Sequence, residues 1–149
     1  MKTSERGRRL IELWEEDGVP KLQPYDDGTG TLTIGYGHTS AAGLPRVHPG
    51  MQITPKQADE ILSSDLAAVE ADVNHHVTAQ LTQNQFDALV SFDFNTGALD
   101  RSNVLRAVNS GHFNQVPHDL MTWVHGGGKV MPGLVRRRRE EIKLFTQET

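Results

Sequence analysis

Apolar residues recur at helical spacing along most of the chain, beginning close to its start. Leu10, Ile11 and Trp14 fall on one face of a helix. With Ser4 as a cap, they predict an amphipathic helix over about residues 5–16. Three acidic residues end this segment, where the helix macrodipole opposes negative charge. Acidic residues at this end of a helix cost stability and bring no structural benefit, so their presence is an indication of function.

The pattern changes to strict alternation within the stretch from Pro24 to Thr39. Asp and Gly residues at its start supply a turn. Leu32, Ile34 and Tyr36 then alternate with small or polar residues, which is the period of a half-buried strand. The stretch therefore predicts a turn followed by one strand.

The face of this strand opposite the apolar side carries Thr33. Gly35 and Gly37 permit another group to approach the backbone closely, and Asp27 stands just before the strand. We therefore expect a carboxylate and a hydroxyl on one open face, which is a place to hold a water molecule.

Capping signals mark the helices in the rest of the chain. Thr54 with Gln57 and Thr82 with Gln85 form capping boxes. The first opens a helix of roughly two dozen residues, which is long enough to connect two lobes. The remaining predictions are a Gly/Pro loop with room for a second short strand over residues 41–50, a helix capped by Ser102, one or two helical pieces over residues 113–124, a flexible loop over residues 126–128, and a final helix from Leu134 to about Phe145. This order of elements predicts an α+β fold.

Composition narrows the chemistry that the chain can support. Its 149 residues are enough for one domain of one or two lobes, and its net charge of −4 does not favour nucleic acid as a partner. There is no cysteine, which excludes disulfides and thiolate chemistry. The charged N-terminal residues lead into no apolar segment, so we expect no signal peptide and no stable membrane association.

Two patterns invite a metal or cofactor interpretation and do not support it. The neighbouring residues His75 and His76 would point about 100° apart on a helix, and no established metal-ligand spacing is present. The glycine run before Lys129 lacks the remaining residues of a phosphate-binding loop. We therefore expect neither a metal nor a cofactor.

Four consecutive arginines, residues 136–139, precede Glu140 and Glu141 on the final predicted helix. The spacing allows the i,i+4 pairs Arg136–Glu140 and Arg137–Glu141. We interpret this segment as a solvated helix face, with an anionic polymer partner as the alternative.

Acidic residues on two different elements are the requirement for glycoside hydrolysis. One neutral acid protonates the leaving oxygen, and one carboxylate activates water or attacks the sugar. Glu15, Glu16 and Asp17 at the end of the first helix can supply one group, and Asp27 can supply the other.

Several motifs, in order along nearly the whole chain, resemble those of phage-type lysozymes, the muramidases of glycoside hydrolase family 24. The motifs are Leu10-Ile11-x-x-Trp14-Glu15, Leu22-Gln23-Pro24-Tyr25-x-Asp27, Gly30-x-x-Thr33-Ile34-Gly35-Tyr36-Gly37-His38-Thr39, Ile53-Thr54 through Asp65, Phe92-x-Phe94-Asn95-x-Gly97, and Pro132-Gly133-Leu134 with Arg137-Arg138 and Glu141-x-x-Leu144-Phe145.

The chain departs from the family at one point, the spacing of the catalytic glutamate. The family pattern is Glu, eight residues, Asp, five residues and Thr, and Asp27 with Thr33 fits its second half. Position 18, where the glutamate should fall, is glycine, so residues 16–21 contain an insertion. The helical phase favours Glu15 as the family position, with Glu16 second and Asp17 third.

The resemblance implies a lysozyme-like α+β fold with a small N-terminal lobe, a long connecting helix and a mostly helical C-terminal lobe. The lobes would cover about residues 12–60 and 75–149, with the first helix packing on the second lobe and a substrate cleft between them. It further implies a tertiary ion pair between His38 and Asp65.

The implied reaction is hydrolysis of the β-1,4 bond between N-acetylmuramic acid and N-acetylglucosamine in peptidoglycan. Glu15 would be the general acid, Asp27 would position water or stabilise the transition state, Thr33 would help to hold that water, and Phe94 would line the cleft. A lytic transglycosylase, or a wall-binding or nucleic-acid-binding module with weakened catalysis, is the alternative.

The resemblance also suggests where such an enzyme works. We expect a monomer that is synthesised in the host cytoplasm and binds peptidoglycan glycan strands. It would reach the wall through a membrane lesion of the kind that a holin makes.

Overall fold

A computed structural model describes residues 1–147; Glu148 and Thr149, the end of the predicted C-terminal lobe, lie outside the described residues. Within residues 1–147 the helices are α1 (Glu5–Glu16), α2 (Pro55–His76), α3 (Gln83–Thr96), α4 (Asn103–Asn109), α5 (Val116–Leu120) and α6 (Pro132–Thr146). The strands are β1 (Lys21–Asp26), β2 (Leu32–Gly35), β3 (His38–Thr39), β4 (His125–Gly126) and β5 (Lys129–Val130). Short 3-10 turns cover Ser40–Ala42, Leu99–Arg101 and Phe113–Gln115.

The chain divides into two compact units. The first, which we call the sheet unit, is Arg8–Ala68. The second, the helical unit, combines Met1–Gly7 with the chain from Val69 onward. The lobe boundaries expected from the sequence remain a prediction.

The sheet unit contains a three-stranded antiparallel sheet in the order β1-β2-β3. Its apolar core is a cluster of Ile34, Ile53, Ala58 and Ile61, with partly buried side chains packed around it. The predicted alternation therefore places Ile34 correctly on the buried side, and the predicted bounds of α1 are confirmed.

Two strands of this sheet differ from the expectation. β1 was not predicted; it contains Pro24, which weakens a strand signal, and its pairing with β2 is irregular between Lys21 and Tyr25. The second short strand is not in residues 41–50 but is β3, because Gly37 with φ +78° helps the chain to reverse directly after β2.

The capping boxes predicted for α2 and α3 both form. The backbone N–H of Thr54 donates to Gln57 Oε1 at 2.9 Å, and that of Gln57 donates to Thr54 Oγ1 at 3.1 Å. The equivalent reciprocal bonds join Thr82 and Gln85, and Gly97 in the left-handed conformation ends α3. Local side-chain chemistry therefore sets the start of both helices, as the sequence indicates.

In the helical unit, α3 packs against α6. Phe92 on α3 makes an edge-on contact with Trp123, with ring centroids 5.6 Å apart. The expected flexible loop at residues 126–128 is instead part of a β-hairpin between β4 and β5. Gly127 and Gly128 have φ values of 59° and 78°, as a tight two-residue hairpin turn requires.

The four arginines do not form the solvated face expected from the sequence. Arg136 and Arg139 are exposed, whereas Arg137 and Arg138 are 3% and 0% exposed. The predicted pair of Arg137 with Glu141 forms at 3.3 Å, but it is buried.

Buried partners satisfy these charges, and we call the group of Arg137, Arg138 and Glu141 the arginine cluster. Arg137 donates to the Ser91 carbonyl at 3.0 Å, and the Ser91 hydroxyl donates to Glu141 at 2.6 Å. Arg138 bonds Glu141, Asn95 and the Trp123 carbonyl, and its guanidinium lies 5.2 Å from the centre of the Phe92 ring. The prediction failed because i,i+4 spacing cannot tell which side of α6 faces α3.

Candidate active site

Glu15 lies in the last turn of α1 and is partly buried. Its carboxylate approaches the backbone of Gly37, where a Cβ atom would stand 2.9 Å from Glu15 Oε2. Gly37 also has φ +78°, which a side chain would disfavour. The expected role of Gly37 as a point of close approach is therefore confirmed, and the group that approaches is the Glu15 carboxylate.

Glu16 has a different environment from its neighbour. Its Oε1 accepts a hydrogen bond from the hydroxyl of Tyr25 on β1. Burial and this bond to Glu16 raise the pKa of Tyr25, so the phenol stays a donor at neutral pH. Glu16 therefore acts as an acceptor that joins α1 to the sheet.

Asp17 lies beyond the end of α1, is exposed, and has a left-handed backbone with φ 52°. Asp17 is the only one of the three acidic residues 15–17 that lies outside α1. This position agrees with its third rank as a candidate for the general acid.

Asp27 directly follows β1 and is fully exposed. The Thr29 hydroxyl donates to Asp27 Oδ1 at 2.6 Å and the Thr29 N–H donates to the same oxygen at 2.9 Å. These bonds lower the pKa of Asp27 because they stabilise the carboxylate. The group is therefore ionised over the neutral range, as an electrostatic stabiliser or a water-orienting base must be.

Thr33 lies on β2 and pairs with Tyr25 across the sheet. The expectation of an open face is wrong for this residue, because it is 4% exposed. Its hydroxyl donates to the Thr31 carbonyl at 3.4 Å, a long bond that leaves the hydroxyl oxygen able to accept another. Period-two alternation gave the side of the strand correctly but could not show that both sides are covered.

Phe94 belongs to the helical unit, where it is partly buried near the end of α3. The three proposed catalytic residues all belong to the sheet unit. The expected role of Phe94 in contacting substrate stays a prediction.

The ion pair expected between His38 and Asp65 forms within the sheet unit. His38 Nδ1 lies 2.7 Å from Asp65 Oδ2, and His38 Nε2 lies 2.8 Å from the Pro45 carbonyl oxygen. A carbonyl can only accept, so Nε2 carries a proton. Burial raises the pKa of Asp65, and the bond and charge of His38 oppose that rise. The pair links the start of β3 to α2.

Residues 1–147 contain no group of three or more His, Cys, Asp or Glu side chains arranged to hold a metal ion. None of the helices in this part of the chain is both long and apolar enough to cross a membrane.

A small antiparallel sheet with carboxylates on a helix end and a strand end, followed by a largely helical unit, defines a lysozyme-type glycoside hydrolase. The chain belongs to the phage lysozyme family, whose sequence model matches residues 15–141. The family, the lysozyme-like α+β fold and the enzyme class predicted from the sequence are thereby confirmed.

Individual relatives agree with this assignment. The chain is 37% identical over 151 residues to the endolysin of Acyrthosiphon pisum secondary endosymbiont phage 1, covering 97% of this chain and 98% of the relative. The muramidase domain of SpmX from Asticaccaulis excentricus matches with a TM-score of 0.86 and 37% identity, over 99% of both chains. A P22 lysozyme mutant matches with a TM-score of 0.82 and 33% identity, also over 99% of both chains.

Sequence reasoning did not assign a role to the bond between Tyr25 and Glu16. Tyr25 was part of a recognised motif, but nothing in the spacing showed that its hydroxyl reaches the residue after Glu15. The connection between α1 and β1 separates the two residues in sequence, and the bond depends on the path that the chain takes there. The one feature of the sequence that pointed to this bond was Glu16, an acidic residue directly after the candidate acid Glu15.

Proposed function

We propose that this chain hydrolyses the β-1,4 bond between N-acetylmuramic acid and N-acetylglucosamine in peptidoglycan through Glu15, Asp27 and Thr33. Glu15 is the general acid that protonates the leaving oxygen. Asp27 orients the attacking water or stabilises the oxocarbenium-like transition state. Thr33 contributes a hydroxyl that helps to hold the water.

The observation that carries this proposal is the contrast between two carboxylates of the sheet unit. Asp27 is exposed and its pKa is lowered by Thr29, which suits a group that works in the ionised state. Glu15 is partly buried on a helix and lies against a glycine backbone, whereas Glu16 is held by Tyr25. Glycosidases separate the roles of their two acids by such differences in environment.

A series of three matched substitutions tests the assignment of the acid. Glu15→Gln keeps the shape of the side chain but cannot donate the proton, so clearing of a peptidoglycan suspension should fall by about two orders of magnitude or more. Glu16→Gln and Asp17→Asn should each cost far less. Circular dichroism of all three variants controls for folding. An inactive Glu16→Gln beside an active Glu15→Gln would move the role by one residue.

Product analysis separates hydrolysis from transglycosylation. Water as the acceptor leaves a reducing sugar at the new end, whereas attack by the substrate's own hydroxyl leaves an anhydro sugar. Mass spectrometry of fragments from purified peptidoglycan should show reducing ends. A binding module without catalysis would release no fragments.

We further propose that the enzyme acts as a monomer and depends on a holin-type membrane lesion to reach the wall after synthesis in the cytoplasm. Expression of the chain alone should leave host cells largely intact, and permeabilising the membrane should cause lysis. Lysis of an expressing culture without any membrane disruption would contradict this route.

A further inference from the structure

The connection between α1 and β1 is the part of the site that departs from the family spacing. It leaves α1 through Asp17 and Gly18, both with left-handed backbone, with φ of 52° and 82°. The backbone N–H groups of Asp17, Gly18 and Val19 donate to carbonyls of α1, those of Leu13, Glu12 and Glu16. The start of this connection is therefore fixed to the helix and not to the strand.

The other end of the connection is irregular as well. β1 pairs with β2 at Lys21, but the register shifts before Tyr25, where regular pairing resumes opposite Thr33. A connection that is anchored to the helix at one end and enters the sheet irregularly at the other does not by itself fix the distance between α1 and Asp27. Another contact must do so if Glu15 and Asp27 are to act on one bond.

The hydrogen bond from Tyr25 to Glu16 spans this gap. Glu16 is adjacent to Glu15 in the last turn of α1, and Tyr25 stands two residues before Asp27 and opposite Thr33. One bond thus links the helix turn that carries the acid to the two strands that carry the other site residues. A hydrogen bond to a carboxylate is stronger than one between neutral groups.

We propose that Tyr25 is a positioning residue, whose hydroxyl binds Glu16 and so holds the acid of α1 at its working distance from Asp27 and Thr33. This inference rests on the proposed function, because it assigns Tyr25 a role through Glu15. Burial and Glu16 raise the pKa of Tyr25, so the phenol keeps its proton through the neutral range, in which Asp27 is ionised. The same bond occupies Glu16 Oε1, in line with the assignment of the proton-donor role to Glu15.

The first test is kinetic. Tyr25→Phe removes one oxygen and keeps the ring, so the fold should survive while kcat on soluble peptidoglycan fragments falls roughly tenfold or more, with KM changed less than about twofold. Tyr36→Phe, at the other tyrosine of the chain, is the matched control and should leave both constants unchanged. A Tyr25→Phe enzyme with kcat within about twofold of the parent would overturn the proposal.

A double-mutant cycle shows whether the loss comes from this bond. Glu16→Leu removes the acceptor and should lower kcat as much as Tyr25→Phe does, and the double variant should be no worse than either single one. Glu16→Gln keeps an acceptor and should retain most of the activity. Additive losses in the double variant would contradict the inference.

A spectroscopic measurement tests the bond independently of activity. In a Tyr36→Phe background the ultraviolet absorbance of the remaining tyrosinate reports Tyr25 alone. Adding Glu16→Gln should shift its titration to lower pH, because a negatively charged acceptor is lost. An unchanged titration means that the bond is absent in solution. If instead Glu15→Gln stays active, the proposed function fails while this bond is still measured.

Discussion

The two units use charged side chains in opposite ways. In the helical unit, the arginine cluster is at most 3% exposed, and each charge has buried hydrogen-bond partners. In the sheet unit, Asp27 is open to solvent, and Glu15 is only partly buried. The first arrangement fixes helix packing, whereas the second leaves the Asp27 carboxylate exposed to solvent.

The difference shows that charge density along a sequence does not identify a site. A run of four arginines is the strongest charge signal in the chain, yet two of its members serve packing. The acids at the end of α1 give a weaker signal, but they lie where the helix macrodipole offers them no stabilisation. Buried charges whose partners are also buried stabilise the fold. Charges that the helix macrodipole opposes are better candidates for a role in catalysis.

Removing one charge from the arginine cluster is the strongest test of the difference between the two units. Glu141→Gln preserves shape but leaves two buried guanidinium groups without their carboxylate, so the free energy of unfolding should fall by about 3–5 kcal/mol. Glu140→Gln, at the exposed neighbour on α6, should change it by less than about 0.5 kcal/mol. Urea denaturation followed by circular dichroism measures both. Equal effects would show that burial of this cluster is not maintained in solution.

The sheet unit also contains one buried ion pair, which should behave like the arginine cluster. Asp65→Ala removes the partner of His38 Nδ1 in a buried position, so the free energy of unfolding should fall by about 1–3 kcal/mol. Asp59, also on α2, pairs with Arg8 at 2.7 Å but has a side chain that is 61% exposed.

Asp59→Ala is therefore the control for Asp65→Ala. Exposed pairs contribute about 0–1 kcal/mol, so this variant should stay close to the parent. Thermal unfolding of both variants at one pH gives the comparison. A larger loss for Asp59→Ala than for Asp65→Ala would reverse the expected order.

The sequence predicts those parts of this structure that depend on neighbours along the chain. The capping residues Thr54 and Thr82 mark real helix starts, because the capping bonds join residues three apart. The apolar face of α1 is equally local, and its bounds were found. The family spacing also proposes Asp27 and Thr33 as site residues, which stays a prediction.

The features that the sequence did not predict are set by contacts between distant residues. Burial of Arg138 depends on Asn95 and Trp123, which no spacing rule connects to it. The bond from Tyr25 to Glu16 joins residues nine apart, on a helix and on a strand, across the connection between α1 and β1. Such contacts are visible only once the elements have packed, so no spacing rule in the sequence predicts them.

The approach of Glu15 to Gly37 gives a test within the candidate site. Gly37→Ala places a methyl group 2.9 Å from Glu15 Oε2 at a backbone φ of +78°. The strained backbone should cost about 1–2 kcal/mol of folding free energy, and displacement of Glu15 should also lower wall-clearing activity. Gly50→Ala is a matched control, since Gly50 has φ +81° and no atom within 4 Å of the added methyl group. It should lose similar stability but keep its activity; loss of activity in both would assign the effect to backbone strain.

The smallest expected effect concerns Asp93, a buried carboxyl in the helical unit that forms no ion pair with Lys or Arg within residues 1–147. Burial and its neighbour Asp72 raise the pKa of Asp93 to about 7, although the Leu99 N–H donates to it at 3.2 Å. In the unfolded chain the group ionises near its ordinary pKa of about 3.9. The folded state therefore holds a proton that the unfolded state releases, and the stability from Asp93 is complete below about pH 4 and is lost as the pH rises toward 7.

Asp93→Asn mimics the protonated carboxyl at every pH, so its stability should decline less than that of the parent between about pH 4 and pH 7. The pKa of His76 is raised chiefly by its bond to the Asp72 carbonyl and to a smaller extent by the charge of Asp93, so all variants in this comparison carry His76→Gln. Asp100→Asn, at an exposed carboxyl that also acts on Asp93, should keep most of the parental slope. Chemical denaturation at several pH values measures all three slopes. Parallel curves for the parent and Asp93→Asn would show that Asp93 is ionised in the folded state and that the helical unit tolerates a buried charge without a cation.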